Sequence, residues 1–128
     1  MSETHEQIAV VSQFRWQYPN DLIYAVPNGT FLHGTKLQRE RQMIKLKKEG
    51  LEPGIPDLCI PTARGGYFGL YIEMKDRNKT ETSLSKLQAL KLKYLKAQGY
   101  KSIWCAGAST AIKVINDYMK MKRTEVVR

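Results

Sequence analysis

With only two cysteines, two histidines and three phenylalanines in 128 residues, the chain lacks the raw material of several function classes. Cys59 and Cys105 lie far apart in segments that read as strands, and neither belongs to a C-x-x-C pair or a His/Cys cluster. That excludes a disulfide framework and a structural zinc site, and both are expected as buried thiols. His5 and His33 have no metal-ligand spacing to each other or to a cysteine and are read as non-catalytic. No apolar run approaches the roughly 18 residues a membrane-spanning helix needs. Residues 1–7 are polar and partly acidic, unlike a secretory signal peptide. No repeat, low-complexity tract or flexible linker divides the chain, so one soluble cytoplasmic domain over residues 1–128 is expected.

Acidic residues are also scarce: 12 Asp and Glu stand against 21 Lys and Arg, a net charge of +9. Such an excess is the electrostatic footprint of a protein that meets polyanions. Its distribution is uneven, because Arg15 is the only Lys or Arg up to His33, whereas residues 36–48 hold six basic residues and one acidic one, Glu40.

Hydrophobic spacing predicts a helix over residues 4–17, carrying Ile8, Val10, Val11 and Phe14 and ended by Pro19-Asn20, then a strand over 22–26 broken by Pro27-Asn28-Gly29. Residues 35–49 read as a basic helix with Thr35 as N-cap and Gly50 as stop. Residues 55–60 and 67–74 read as two strands of a hairpin around Arg64-Gly65-Gly66. Ser83 or Ser85 can cap a further helix closed by Gly99, with Leu84, Leu87, Leu90, Tyr94 and Leu95 on or beside one face. A strand over 101–106 and a helix over 108–121 complete the order αβαββαβα, an α/β pattern that packs as a mixed sheet flanked by helices. Aromatic residues in these elements, Trp16 and Trp104 among them, are expected in the core rather than as nucleobase platforms.

The most informative stretch is Gly54-Ile55-Pro56-Asp57-Leu58, a turn, then Ile72-Glu73-Met74-Lys75. Strand alternation puts Glu73 and Lys75 on one face, and the hairpin brings Asp57 beside them. Charges that leave water need partners, so two carboxylates and an ammonium on one strand pair suit a metal site better than a core. Asp57 and Glu73 supply the one or two carboxylates that Mg²⁺ typically takes, and Lys75 can orient a nucleophile or neutralise charge on phosphorus.

Pro56-Asp57 followed by Glu73-Met74-Lys75 resembles the signature of the PD-(D/E)xK nuclease superfamily. With Ser85, Gln88 and Gly99-Tyr100 the resemblance narrows to the stand-alone VRR-Nuc domains of phages and bacteria, over roughly residues 3–118. It implies a restriction-endonuclease-like mixed sheet and Mg²⁺- or Mn²⁺-dependent hydrolysis of phosphodiester bonds in branched DNA such as four-way (Holliday) junctions, in the cytoplasm of a bacterium or phage-infected host. It further implies Asp57, Glu73 and the backbone carbonyl of Met74 as metal ligands, Lys75 beside the attacking water, and Gln88 as a water-positioning or phosphate-contacting amide. For the acid that the family takes from its first helix, Glu3 and Glu6 are alternatives; Glu3 shares a helical face with Gln7, which favours it.

Lys36, Arg39, Arg41, Lys45 and Lys47 are the expected contacts to the DNA backbone, with Asn28 in the loop before them as a further candidate. A homodimer is expected, since a four-way junction has two-fold character and one chain carries one site. The alternatives are a nuclease acting on flaps or duplex ends, and a basic nucleic-acid-binding module without chemistry.

Overall fold

The computed structural model describes residues 2–27 and 32–127. Helix α1 (Glu3–Gln17) begins where the Ser2 hydroxyl accepts the N–H of His5 and ends before Pro19. Strand β1 (Tyr24–Ala25) follows, then α2 (Lys36–Lys48), β2 (Leu58–Ile60), β3 (Leu70–Lys75), a 3₁₀ turn over Glu81–Ser83, α3 (Lys86–Ala97), β4 (Lys101–Ala106) and α4 (Ala108–Met119). The expected order αβαββαβα is therefore the observed one. Both α2 and α3 start with a reciprocal capping box, Thr35 with Gln38 and Ser85 with Gln88, which satisfies two otherwise orphaned N–H groups each time.

The four strands form one mixed sheet in the order β1-β2-β3-β4, antiparallel except for the parallel pair β3-β4. A parallel pair needs a long crossover, and α3 provides it. Leu58, Ile60, Leu70, Ile72 and Met74 project to one face, where Val10 and Phe14 of α1 and Ala111, Ile115 and Tyr118 of α4 close the core. The other face carries Cys59, Tyr71, Glu73 and Lys75, because directly paired residues share a side and neighbours alternate. Gln88 bonds both Glu73 and Lys75, so α3 packs on this second face. Cys59 and Cys105 are buried thiols, as expected.

Several boundaries differ from the sequence expectation for local reasons. β1 shrinks to two residues at the sheet edge, and Ile23 before it is buried while Leu22 is exposed. β2 starts at Leu58 rather than 55, because Gly54 adopts φ +88° and Pro56 has no N–H to give a ladder. β3 starts at Leu70 because the Tyr67 and Phe68 N–H groups bond Arg64 and Gly99 carbonyls outside the ladder, and it runs on to Lys75. Ser85, not Ser83, caps α3. The apolar face read for α3 is not the one it buries: Leu92 points inward, and Leu87, Leu90 and Tyr94 are at least half exposed. Trp16 is likewise 79% exposed, against the expectation of a core aromatic. Among the described residues no helix is long and apolar enough to cross a membrane.

Candidate active site

Asp57 is the residue before β2, and continuing the register Leu58↔Ile72 sets it opposite Glu73. Its main-chain carbonyl accepts the Val26 N–H at 2.8 Å, and its Oδ2 accepts the Met74 N–H at 2.8 Å. The side chain is thus fixed across the hairpin. In a strand the N–H and C=O of one residue point the same way, so the Met74 carbonyl also faces Asp57, whereas the Lys75 carbonyl faces β4 and accepts from Gly107 N–H at 2.8 Å. Gly54 permits this arrangement: a Cβ there would stand 2.8 Å from the Leu87 carbonyl carbon, so the turn before Asp57 rests directly on the first turn of α3.

Glu73 is 2% exposed. Its Oε1 accepts from Gln88 Nε2 at 3.1 Å, while Oε2 is buried with no hydrogen-bond partner. Gln88 Oε1 accepts from Lys75 Nζ at 3.1 Å and from the Ser85 N–H at 2.9 Å. One amide therefore closes the capping box of α3 and joins the glutamate to the lysine. Burial, and then the charge of Asp57, push the Glu73 carboxyl up to about 8, with Lys75 opposing. Burial also raises Asp57, against the pull of the Met74 N–H. The unpartnered Glu73 Oε2 belongs to the residue set opposite Asp57, and the Met74 carbonyl faces the same strand. Among the described residues no three His, Cys, Asp or Glu side chains cluster closely enough to hold a metal by themselves.

The two first-helix acids part company. Glu3 sits at the exposed start of α1 and faces the site rim, where burial and the charges of Asp57 and Asp76 raise it and Lys75 lowers it. Glu6, a catalytic candidate from sequence, has no exposed surface and is committed elsewhere: Oε1 is 2.7 Å from Arg77 Nη2, and that guanidinium holds the carboxyl below its usual range. Its other oxygen lies where a Cβ on Gly107 would meet it at 2.9 Å, and the Ala108 N–H favours its charge. Gly107 offers α4 no side-chain cap, so Glu6 supplies from α1 the negative group that a helix N-terminus favours. This is a latch among α1, the segment after β3 and α4, not a group facing the acidic pair. Sequence reasoning missed Arg77; the only signal was that a buried glutamate needs a cation.

Lys36, Arg39, Arg41, Lys45 and Lys47 are all exposed on α2, which buries no residue, and none is in an ion pair with a described residue. The C-terminal turn of α2 borders an open groove of about 490 Å³ lined by Leu46, Glu49, Val26 and Ile55 among others. Of the groove's lining, Val26 donates its N–H to the Asp57 main-chain carbonyl and Ile55 lies two residues before Asp57. Asn28 lies outside the described residues. Both histidines are exposed, away from these contacts.

The buried Glu73, the half-buried Asp57 and Lys75 come together at one end of a mixed sheet. The chain belongs to the VRR-NUC domain family, whose model matches residues 2–109. A solved structure described as a VRR_NUC domain protein is similar with a TM-score of 0.77 and 25% identity, covering 98% of this chain and 93% of that one. No curated protein matches the chain significantly. Nucleic acid is the substrate class that the family implies.

Two outcomes follow from these electrostatics. Glu73 is protonated in the fold up to about pH 8 but only to about 4.5 when unfolded. The native state thus holds the extra proton between those values, and stability falls as pH rises through this window. In EDTA the melting temperature should drop between pH 5.5 and 8.5, and Glu73→Gln should flatten that slope and melt about 4 °C higher at pH 8.5. Arg77→Ala should destabilise the fold by stranding the Glu6 charge, and adding Glu6→Gln should recover part of the loss in denaturant titrations. A double variant no better than Arg77→Ala would contradict the latch.

Proposed function

We propose that the protein is a divalent-metal-dependent, structure-selective DNA endonuclease acting on branched DNA such as four-way junctions. The observation that carries this reading is the unpartnered, buried Glu73 Oε2 beside Asp57 at the end of the sheet. Two carboxylates and one carbonyl match the sparse, hard-oxygen ligation of Mg²⁺ or Mn²⁺, which leaves coordination positions for water and a phosphate oxygen. Asp57, Glu73 and the Met74 carbonyl would hold the ion. When bound, such an ion polarises a phosphodiester and makes a water acidic.

The chain's own residues do the rest. Asp57 is aimed by the Met74 N–H, and Gln88 holds the Glu73 carboxylate with Nε2 and the Lys75 ammonium with Oε1. Lys75 is thereby placed to orient an attacking water and to neutralise charge developing on the phosphate. Gln88 acts as a positioning residue for both. Glu3, on the rim, can accept a hydrogen bond from a water approaching the pair. The exposed cations of α2 supply affinity through phosphate contacts without sequence readout, which suits recognition by shape. A homodimer would present two such sites to the two-fold character of a junction. A binding module without chemistry is disfavoured, because two carboxylates facing a phosphate backbone repel it unless a cation bridges them.

The test is cleavage of a labelled four-way junction beside matched duplex, flap and single strand, in Mg²⁺, Mn²⁺ or EDTA. Metal-dependent cutting of the junction should fall at least about 100-fold in Lys75→Ala while binding persists. Preference for flaps or ends would redirect the substrate assignment, and binding without cutting in any metal would remove the enzyme. Replacing Lys45 and Lys47 together by Ala should weaken binding and reduce the slope of log K against log salt by about 1.8 if both meet phosphates. An unchanged slope would turn α2 away from the DNA.

A further inference from the structure

At the end of the sheet away from Asp57 and Glu73, the chain after α4 returns across the turn between β2 and β3. The Lys122 carbonyl accepts the Gly65 N–H at 2.6 Å, and the Ala63 carbonyl accepts the Thr124 N–H at 3.2 Å. Thr124 Oγ1 accepts from the Gly66 N–H at 3.1 Å and donates to the Tyr67 carbonyl at 2.7 Å. Between these bonds Arg64 and Arg123 stand directly opposite each other as an antiparallel pair. The main-chain bonds run between their neighbours, so this is the close, non-hydrogen-bonded kind of pair, with Cβ atoms about 5 Å apart on one side of the ribbon. Like charges so placed oppose the pairing. The strap nevertheless lies tight on the turn: a Cβ on Gly65 would collide with Met121 Sδ. Among the described residues neither arginine is in an ion pair, and Arg64 Nη1 donates to the Ala63 carbonyl at 3.1 Å. Of the acids nearest Arg123 in sequence, Asp117 is paired with Lys113 at 2.9 Å, and Glu125 pairs with neither arginine. Exposed Lys120 and Lys122 precede Arg123, and Lys101 lies 5.8 Å from the centre of the Tyr67 ring.

We propose that the Arg64–Arg123 pair is a second nucleic-acid phosphate site, separate from α2 and from the acidic centre, which grips the backbone of one arm of the substrate. The inference rests on the endonuclease reading for its purpose, while its observations stand apart from that reading. Two guanidinium groups issuing from opposed positions on one side present planar forks of N–H donors, which hold a phosphodiester through charge-assisted bonds. An anion between them turns the repulsion into attraction. A purely structural strap would gain from an acid or a neutral residue at one of the two positions. Lys120, Lys122 and Lys101 extend the positive charge beyond the pair, which matches a polyanion rather than a single free phosphate. The place in the fold sets the role. From Glu73 to Leu70 is three strand steps, about 10 Å, and the arginines lie beyond the Ile60–Leu70 end of the ladder. A phosphate held there is therefore a different one from any at the acidic pair, and such a contact fixes the direction of an arm without reading its sequence. Arg123 also lies beyond residues 2–109, which the family model matches.

The experiment is binding of a labelled four-way junction in EDTA, read by anisotropy across a salt series. The native chain is compared with Arg123→Gln, with Arg64→Gln plus Arg123→Gln, and with Lys93→Gln, which removes an exposed cation of α3. The slope of log K against log salt should shrink by about 0.9 in the single arginine variant and about 1.8 in the double one. Affinity should fall at least about fivefold with the first arginine, while Lys93→Gln stays near native. The melting temperature of the free arginine variants should hold or rise, because opposed like charges are removed. An unchanged slope in the double variant would overturn the proposal, and so would an equal loss in Lys93→Gln, which would mean net charge alone. Native binding with a lowered melting temperature would make the pair a structural element and overturn it as well. Inorganic phosphate that stabilises the native chain but not the double variant, with junction binding equal in both, would assign the pair to a free phosphate group instead. Should Arg64→Gln fail to fold, Arg123→Gln alone, at an exposed position, must still show its share of the slope for the proposal to stand. Because binding is read without metal, a chain that binds through this pair but cuts nothing leaves the inference intact and removes only the endonuclease reading.

Discussion

Burial of the Glu73 carboxylate is the constraint around which the rest of the molecule is arranged. Taking a carboxylate out of water is costly, and setting a second one opposite it adds repulsion; the fold tolerates both only because each neighbour is fixed. Asp57 is held by a main-chain N–H, Glu73 by a side-chain amide, and that amide in turn by Lys75 and by the cap of α3. Even so, one oxygen remains without a partner, and the carboxyl keeps its proton to about pH 8. A purely structural strand end would gain from an apolar residue at this position.

The same strand end shows how one helical turn can separate two tasks. Glu3 and Glu6 are three residues apart, about 60° around the helix, and that rotation sends one to the site rim and the other into the protein. Glu6 meets Arg77, two residues beyond Lys75, and the N-terminus of α4, while Gly107 at that N-terminus also binds the Lys75 carbonyl. α1 and α4 are therefore registered against the segment that carries the lysine. Loss of the latch would disturb the site without removing any group that faces it.

Much of this was legible before the fold was known, and the limits were physical. Strand alternation and a hairpin were enough to bring Asp57, Glu73 and Lys75 together, because a period of two leaves no freedom once the strands pair. The capping box of α3 was visible as Ser85 and Gln88, but that Gln88 would also reach across to both Glu73 and Lys75 was not, since its reach depends on how close the helix lies to the sheet. Gly54 decides that distance. For α3 the apolar pattern was real, yet a helix with leucines around more than half its circumference does not say which flank meets the sheet; Leu92 does, and the flank first read as the packing face is left open. The choice between Glu3 and Glu6 turned on a partner, Arg77, that lies 71 residues away and has no motif of its own.

The cations and the acids reside on different elements, and the geometry explains why they can coexist. The cations of α2 are exposed and spread along a helix that buries nothing, so their attraction for a polyanion is long-ranged and tolerant of position. Glu73 is buried and keeps its proton to about pH 8, so the pair carries less negative charge than two ionised carboxylates would. The positive field of α2 is therefore opposed less than the number of acids suggests, and Lys75 stands two residues along β3 from Glu73. Two fully ionised carboxylates at that strand end would oppose the field of the basic helix more strongly. Burial of Glu73 thus lets acids and cations share 128 residues with less mutual cancellation.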